Sequence, residues 1–360
     1  MNHRANKKGT DESKSKWHFC PRCGNVLPKI ENLKYCTKCG LDLKEVKNSM
    51  ELPLYTWVPH TLPYEFKREQ EKITEDQIAN QSYKTVWSTT KSIFLPILAF
   101  VVLSLFGIII AFIVVFLNIN LQTIQAFISS PFFFIISTFA EFIFLFFAII
   151  FVGKYLKKPT FKNRFRLLGL TTEHYSKVDI VKEILLGIIF AIIGIFAVQI
   201  TSISLELLVE SLFKVSIQYA PSGIDFTVSQ ANIIEIIIII LMMFFVVGLS
   251  EETLFRGFQQ KGLMHNLGAT KGIIFGALIF SLIHIIGIFT DLVFSPFTFL
   301  IEFILSFFPY FVISLILAYL FYWRKQNLIA VIVTHGSYDS LTILLVFVSI
   351  SIGFYYILTK

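Results

Sequence analysis

The sequence predicts an all-α polytopic membrane protein of about seven transmembrane helices, preceded by a small four-cysteine zinc ribbon. Three observations predict it. Of 360 residues, 55% are hydrophobic, 40 are phenylalanine and only 15% are charged, against about one quarter charged in a soluble domain. Apolar runs long enough to cross a bilayer begin near Ser92 and recur to the C-terminus. All four cysteines fall before them, in two C-x-x-C pairs. This composition excludes a soluble globular enzyme.

The cysteines define the head. Cys20 and Cys23 ("CPRCGN") and Cys36 and Cys39 ("CTKCGL") form two tight knuckles, each followed by glycine. Such knuckles present four thiolates tetrahedrally, the arrangement of a structural zinc site. Two disulfides are the rival reading. A module over 17-43 is too small to fold on its apolar core, so metal binding would carry its folding free energy. Thiolate coordination favours a reducing compartment and places the head in the cytosol. Residues 1-16 read as a disordered basic tail with no secretory signal pattern. Residues 44-91 read as a linker with an interfacial helix near "KREQEKITEDQ", and residues 92-360 as the membrane domain.

A hydrocarbon core of about 30 Å takes about 20 helical residues. Seven runs satisfy this, near 92-117, 131-153, 183-208, 233-258, 271-290, 298-322 and 327-350. Apolar residues continue to Leu358, which leaves an eighth crossing open. Between the second and third runs "KYLKKPTFKNRFR" carries six basic residues and no acid, and every second loop after it is basic. The positive-inside rule then puts those loops and the N-terminus in the cytosol, in agreement with the cysteines.

Charged groups inside a membrane are costly and need a partner or a task. Three clusters stand out: Glu251, Glu252 and Arg256 in "GLSEETLFRGF", His284 in "FSLIH", and His335 and Asp339 in "HGSYD". Glu252 and Arg256 are four residues apart and share a helix face, so Arg256 neutralises Glu252. Glu251 is turned about 100° away and must find its partner on another helix. Counted from the basic ends, Glu251 lies ten residues from Lys261, His284 thirteen from Lys271 and His335 ten from Lys325. At about 1.5 Å per residue the three share one layer, roughly 15 to 20 Å deep. A carboxylate and two imidazoles in one layer suit a buried hydrolytic centre, with Glu251 as general base on a water held by His284. His335 would stabilise an oxyanion. A proton-relaying transporter and an idle membrane adaptor both remain open from the residues alone. Glu141 and Glu302 receive no role.

The order E-E-x-x-x-R, F-x-x-x-H and H-x-x-x-[N/D], read as "EETLFR", "FSLIH" and "HGSYD", resembles the intramembrane proteases of the CAAX prenyl endopeptidase type II and bacteriocin-processing family. The resemblance covers residues 160 to 350, including "RFRLLGL". It implies a cytosol-facing endopeptidase in which Glu251 and His284 activate water, while His335 and Asp339 supply the oxyanion hole and Glu252 and Arg256 support them. The eukaryotic prenyl proteases have asparagine where this chain has Asp339. An ionised aspartate cannot donate a hydrogen bond, so Asp339 would be protonated, orient His335 or help hold a metal. A route without a catalytic metal is favoured. The implied substrate is a peptide or protein, in some family members C-terminally lipidated. Membrane lipid and a protein bound to the ribbon are the other expected partners. Nucleic acid is not expected, because no dense basic patch with interleaved aromatics surrounds the ribbon.

Overall fold

The computed structural model describes residues 18–27, 33–44, 72–83, 86–117, 126–173, 175–217 and 223–352. The chain divides into two units, residues 1–67 and 68–360. The expected tail, much of the expected linker and the residues beyond Ile352, where an eighth crossing was left open, lie outside the described residues.

In the first unit each C-x-x-C turn is closed the same way. Gly24 N–H donates to the Cys20 carbonyl and Gly40 N–H to the Cys36 carbonyl. Each glycine takes a left-handed φ, +67° and +68°, which a residue with a Cβ adopts only at a cost. Antiparallel bridges Phe19–Val26 and Tyr35–Asp42 flank the turns. The buried apolar content is slight: Leu27, Leu41 and Leu43 beside Cys20 and Cys36.

The second unit is helical. Its principal elements are α1 (Thr89–Phe116), α2 (Pro131–Tyr155), α3 (Lys177–Phe213), α4 (Ile233–Leu267), α5 (Ala269–His284), α6 (Pro296–Trp323) and α7 (Ile329–Ser351). Among the described residues six are long and apolar enough to cross a membrane; α5 is apolar but shorter. The fifth expected run, 271-290, thus ends as α-helix at His284 and continues as a tighter turn over Ile286–Thr290. Outward positions such as Phe112, Phe196, Ile200, Ile234 and Phe245 are exposed. A water-soluble surface would not present so much large apolar side chain; lipid accounts for it.

Between apolar helices in lipid, close packing and hydrogen bonds supply the association that the hydrophobic effect supplies in water, and small residues permit close approach. Gly187 on α3 meets Val333 of α7, and Gly194 meets Ile313 of α6. On α4, Gly248 lies where a Cβ would stand 3.1 Å from Gly336 N, and a Cβ on Gly336 would stand 2.8 Å from Phe244 Cα. At this crossing α4 and α7 touch backbone to backbone. Around it α4 departs from regular geometry: Met243–Val247 and Thr253–Gln260 are π-helical, with Gly248–Glu252 between them. Such widened turns are frequent at functional sites.

The helix ends on the basic side are tied together. Trp87 stacks on Phe258 at 4.4 Å and donates its indole N–H to the Phe258 carbonyl at 3.0 Å. Lys91 reaches the Tyr155 hydroxyl at 2.9 Å, and Asn266 donates to the Trp87 carbonyl at 2.9 Å. Residues 72–83, within the expected linker, also lean on the body, where Ile73 forms a parallel bridge with Leu156. The "RFRLLGL" stretch forms a helix, Phe161–Leu168, that starts at the capping hydroxyl of Thr160 and stops at Gly169 with φ +97°.

Candidate active site

The five-residue α-helical turn between the π segments of α4 holds Glu251 and Glu252, both buried. Glu252 is fully enclosed and Arg256 is 2% exposed. Their pair is formed, with Arg256 Nη1 donating to Glu252 Oε1 at 2.9 Å. Arg256 Nη2 donates to Ser314 Oγ of α6 at 3.2 Å, and its guanidinium lies 4.2 Å from the Phe280 ring centroid. An enclosed cation is tolerable only with such compensation.

Glu252 also faces α7. His335 Nδ1 stands 2.6 Å from Glu252 Oε1, a contact that the glycine crossing at Gly248 and Gly336 brings within reach. An ionised carboxylate only accepts, so Nδ1 brings the hydrogen. The other ring nitrogen, Nε2, stands 3.3 Å from Asp339 Oδ2 and 3.8 Å from Glu251 Oε2. The spacing of four residues does put His335 and Asp339 on one side of α7.

His284 closes the group from the end of α5. Its Nδ1 lies 2.8 Å from the Phe280 carbonyl, an acceptor, so Nδ1 carries the hydrogen. Its Nε2 is directed at Glu251 Oε2, 3.7 Å away. That gap exceeds a hydrogen bond, and Glu251 Oε2 has no hydrogen-bond partner among the described residues. The ring is held between Phe280, at 4.2 Å, and Tyr310, at 5.0 Å. Glu251 therefore has both imidazoles within 4 Å, one from α5 and one from α7.

These groups open on a cavity of about 440 Å³ lined also by Tyr310, Tyr338 and Glu141. Sequence reasoning gave these three no part. Glu141 sits where α2 is interrupted between Ala140 and Phe142, and its buried Oε2 has no hydrogen-bond partner among the described residues. Its charge within an apolar run was the available signal. Tyr338 lies inside the quoted "HGSYD" beside Asp339, and that position was its signal; nothing in the sequence distinguishes Tyr310 from other aromatic residues.

The four cysteines of the first unit form the second site. All four sulfurs lie within 4.8 Å of one another, with Cys20–Cys39 at 3.6 Å and Cys23–Cys36 at 3.7 Å. A disulfide needs about 2.05 Å, so the cysteines are free thiols. Four sulfurs at about 2.3 Å from one metal ion stand about 3.8 Å apart, and the observed spacing fits. Burial pushes the Cys36 thiol up, but hydrogen bonds from the backbone N–H groups of Cys39 and Lys38, together with those from the Cys20 and Cys39 thiols, bring it down to about 7. The cluster can hold a metal ion.

Residues 233–341 match the family model described as type II CAAX prenyl endopeptidase, Rce1-like. The match takes in Glu251, Glu252, Arg256, His284, His335 and Asp339, and spans under a third of the chain. No curated protein and no solved structure matches the chain.

Proposed function

We propose that this chain, with its Rce1-like type II CAAX prenyl endopeptidase domain over residues 233–341, hydrolyses a peptide bond near the cytosolic membrane face. The observation that carries the reading is the convergence on Glu251 of His284 and His335, from three helices, within 4 Å. A water touched by both Glu251 Oε2 and His284 Nε2 would give its proton to Glu251 as its oxygen attacks the scissile carbonyl carbon. With Nδ1–H held by Glu252 and a second proton on Nε2 beside Asp339, His335 acts as the imidazolium, and its Nε2–H meets the oxyanion so formed. As the carbon–nitrogen bond breaks, Glu251 returns the proton to the leaving amine.

The surrounding groups act on these three. Glu252 accepts from His335 Nδ1 and fixes the ring, and Arg256 offsets the charge of Glu252. Asp339, next to Nε2, orients His335, which gives a carboxylate a use where the resembled eukaryotic proteases have an amide. The route needs no catalytic metal. The cysteine cluster holds structural zinc, its head lies in the cytosol with the basic loops, and the head serves to bind a protein partner.

The test is cleavage of reporter peptides, with and without a lipidated C-terminal cysteine motif, by the purified protein in liposomes. Wild type should release a defined fragment and Glu251→Ala should not, with the fold retained by circular dichroism. Cleavage should survive chelation. Equal cleavage by Glu251→Ala would sink the enzyme reading; loss on chelation with the cysteine cluster intact would restore a catalytic metal.

A further inference from the structure

A second cavity, of about 370 Å³, lies away from the Glu251 group, at the tied basic ends of the helices. Four cations line it, Arg166, Lys261, Arg324 and Lys325, with a single acid, Glu173. Two of the four are already neutralised. Arg166 pairs with Glu173 and Arg324 with the buried Glu183 of α3.

Lys261 and Lys325 remain. Lys261 is only 4% exposed, yet among the described residues no carboxylate lies within ion-pair reach of it. Its ammonium donates to the Leu167 carbonyl at 2.6 Å and lies 5.6 Å from the centroid of the Tyr83 ring, which also lines the cavity. A carbonyl satisfies one of the three protons of an ammonium and none of its charge. Buried charges are otherwise paired, so the cavity in front of Lys261 is where the missing negative charge belongs.

The walls are built rather than accidental. Lys325 and Gln326 both adopt left-handed backbone, φ +52° and +63°. Gln81 holds the Lys325 carbonyl at 3.1 Å, and Asn327 donates to the Thr171 carbonyl at 2.9 Å. We infer that this pocket, centred on Lys261 and Lys325, binds a phosphate-bearing anion. At the end of a membrane bundle the abundant bearer of that chemistry is an anionic phospholipid headgroup, and basic pockets between helices are suited to one. Lys261 lies on α4, the helix of Glu251 and Glu252, and Asn327 leads into α7, the helix of His335. The bound anion therefore braces the two helices whose crossing makes the Glu252–His335 contact. The inference stands whether or not the chain is a protease.

The probe is phosphatidylglycerol in phosphatidylcholine nanodiscs holding the full chain, with retained lipid counted by native mass spectrometry. Wild type should retain phosphatidylglycerol in preference to phosphatidylcholine. Lys261→Met and Lys325→Gln should each cut that preference roughly tenfold, as expected for one lost charge-assisted contact, and Lys158→Gln, at an exposed lysine outside the pocket, should leave it unchanged. A second arm adds inorganic phosphate to pure phosphatidylcholine nanodiscs. A rise in melting temperature in wild type but not in Lys325→Gln identifies a free phosphate as the ligand; lipid preference without it identifies the headgroup. Equal lipid retention by wild type and Lys325→Gln, with no phosphate-induced shift, overturns the site. Lys325→Gln decides alone if Lys261→Met does not fold.

Discussion

His335 on α7 and Glu252 on α4 are joined at 2.6 Å, through the same carboxylate oxygen that accepts from Arg256 at 2.9 Å. One carboxylate thus holds both an imidazole and a guanidinium, so Glu252 ties α7 to α4 while it neutralises Arg256.

Glu252→Ala leaves Arg256 enclosed without its counter-charge. Removing one partner of a buried pair costs about 3 to 5 kcal/mol, and a large drop in melting temperature in detergent or nanodiscs should report it. Peptide cleavage should fall as well, because His335 loses the acceptor on Nδ1. Arg256→Ala should destabilise comparably while leaving the His335 contact possible. Its loss of activity at a temperature where it remains folded should be the smaller of the two.

The crossing of α4 and α7 depends on the missing side chains of Gly248 and Gly336. Gly336→Val would drive a Cβ to 2.8 Å from the Phe244 backbone, and overpacking of this kind costs about 1 to 3 kcal/mol. A lowered melting temperature and faster amide exchange across 244–252 and 332–340 are expected. Unchanged exchange in both segments would show that the helices do not meet there.

These contacts explain which parts of the site could be read in advance. The Glu252–Arg256 pair follows from helical periodicity alone, and the cysteine cluster from the spacing of its knuckles. That Glu251 needed a partner from another helix also followed, since its neighbour had taken the arginine. The Glu252–His335 contact did not, because it depends on how closely two glycines let α4 and α7 approach. The short α5 was masked by the apolar run that continues beyond His284, where hydropathy is blind to a change from α-helix to a tighter turn. Glu141 was visible as an oddity, but only the break in α2 and the packing of the bundle bring it to the cavity.

Asp339 offers a sharper comparison of roles. If it orients His335 from 3.3 Å, Asp339→Asn should keep most of the cleavage activity, since an amide can hold the ring and donate to an oxyanion as well. Asp339→Ala should lower it further, by about ten- to a hundredfold, the size of one lost charge-assisted hydrogen bond. Equal losses in the two variants would remove the orienting role.

The head should depend on metal independently of the membrane body. One zinc per chain is expected by elemental analysis. Cys36→Ser, or a strong zinc chelator, should expose residues 18–44 to limited proteolysis, because zinc supplies about 10 to 16 kcal/mol in comparable peptides. The melting transition of the helical body should not move. A body that unfolds with the head would contradict two separate units.

The most direct test of the central claim is Glu251→Gln, which keeps the size of the side chain and removes its ability to take a proton. Its cleavage rate in liposomes should be measured beside its melting temperature. The account predicts a rate lower by a factor of about 10² to 10⁴ with the melting temperature nearly unchanged. A Glu251→Gln protein that cleaves at the wild-type rate would contradict it.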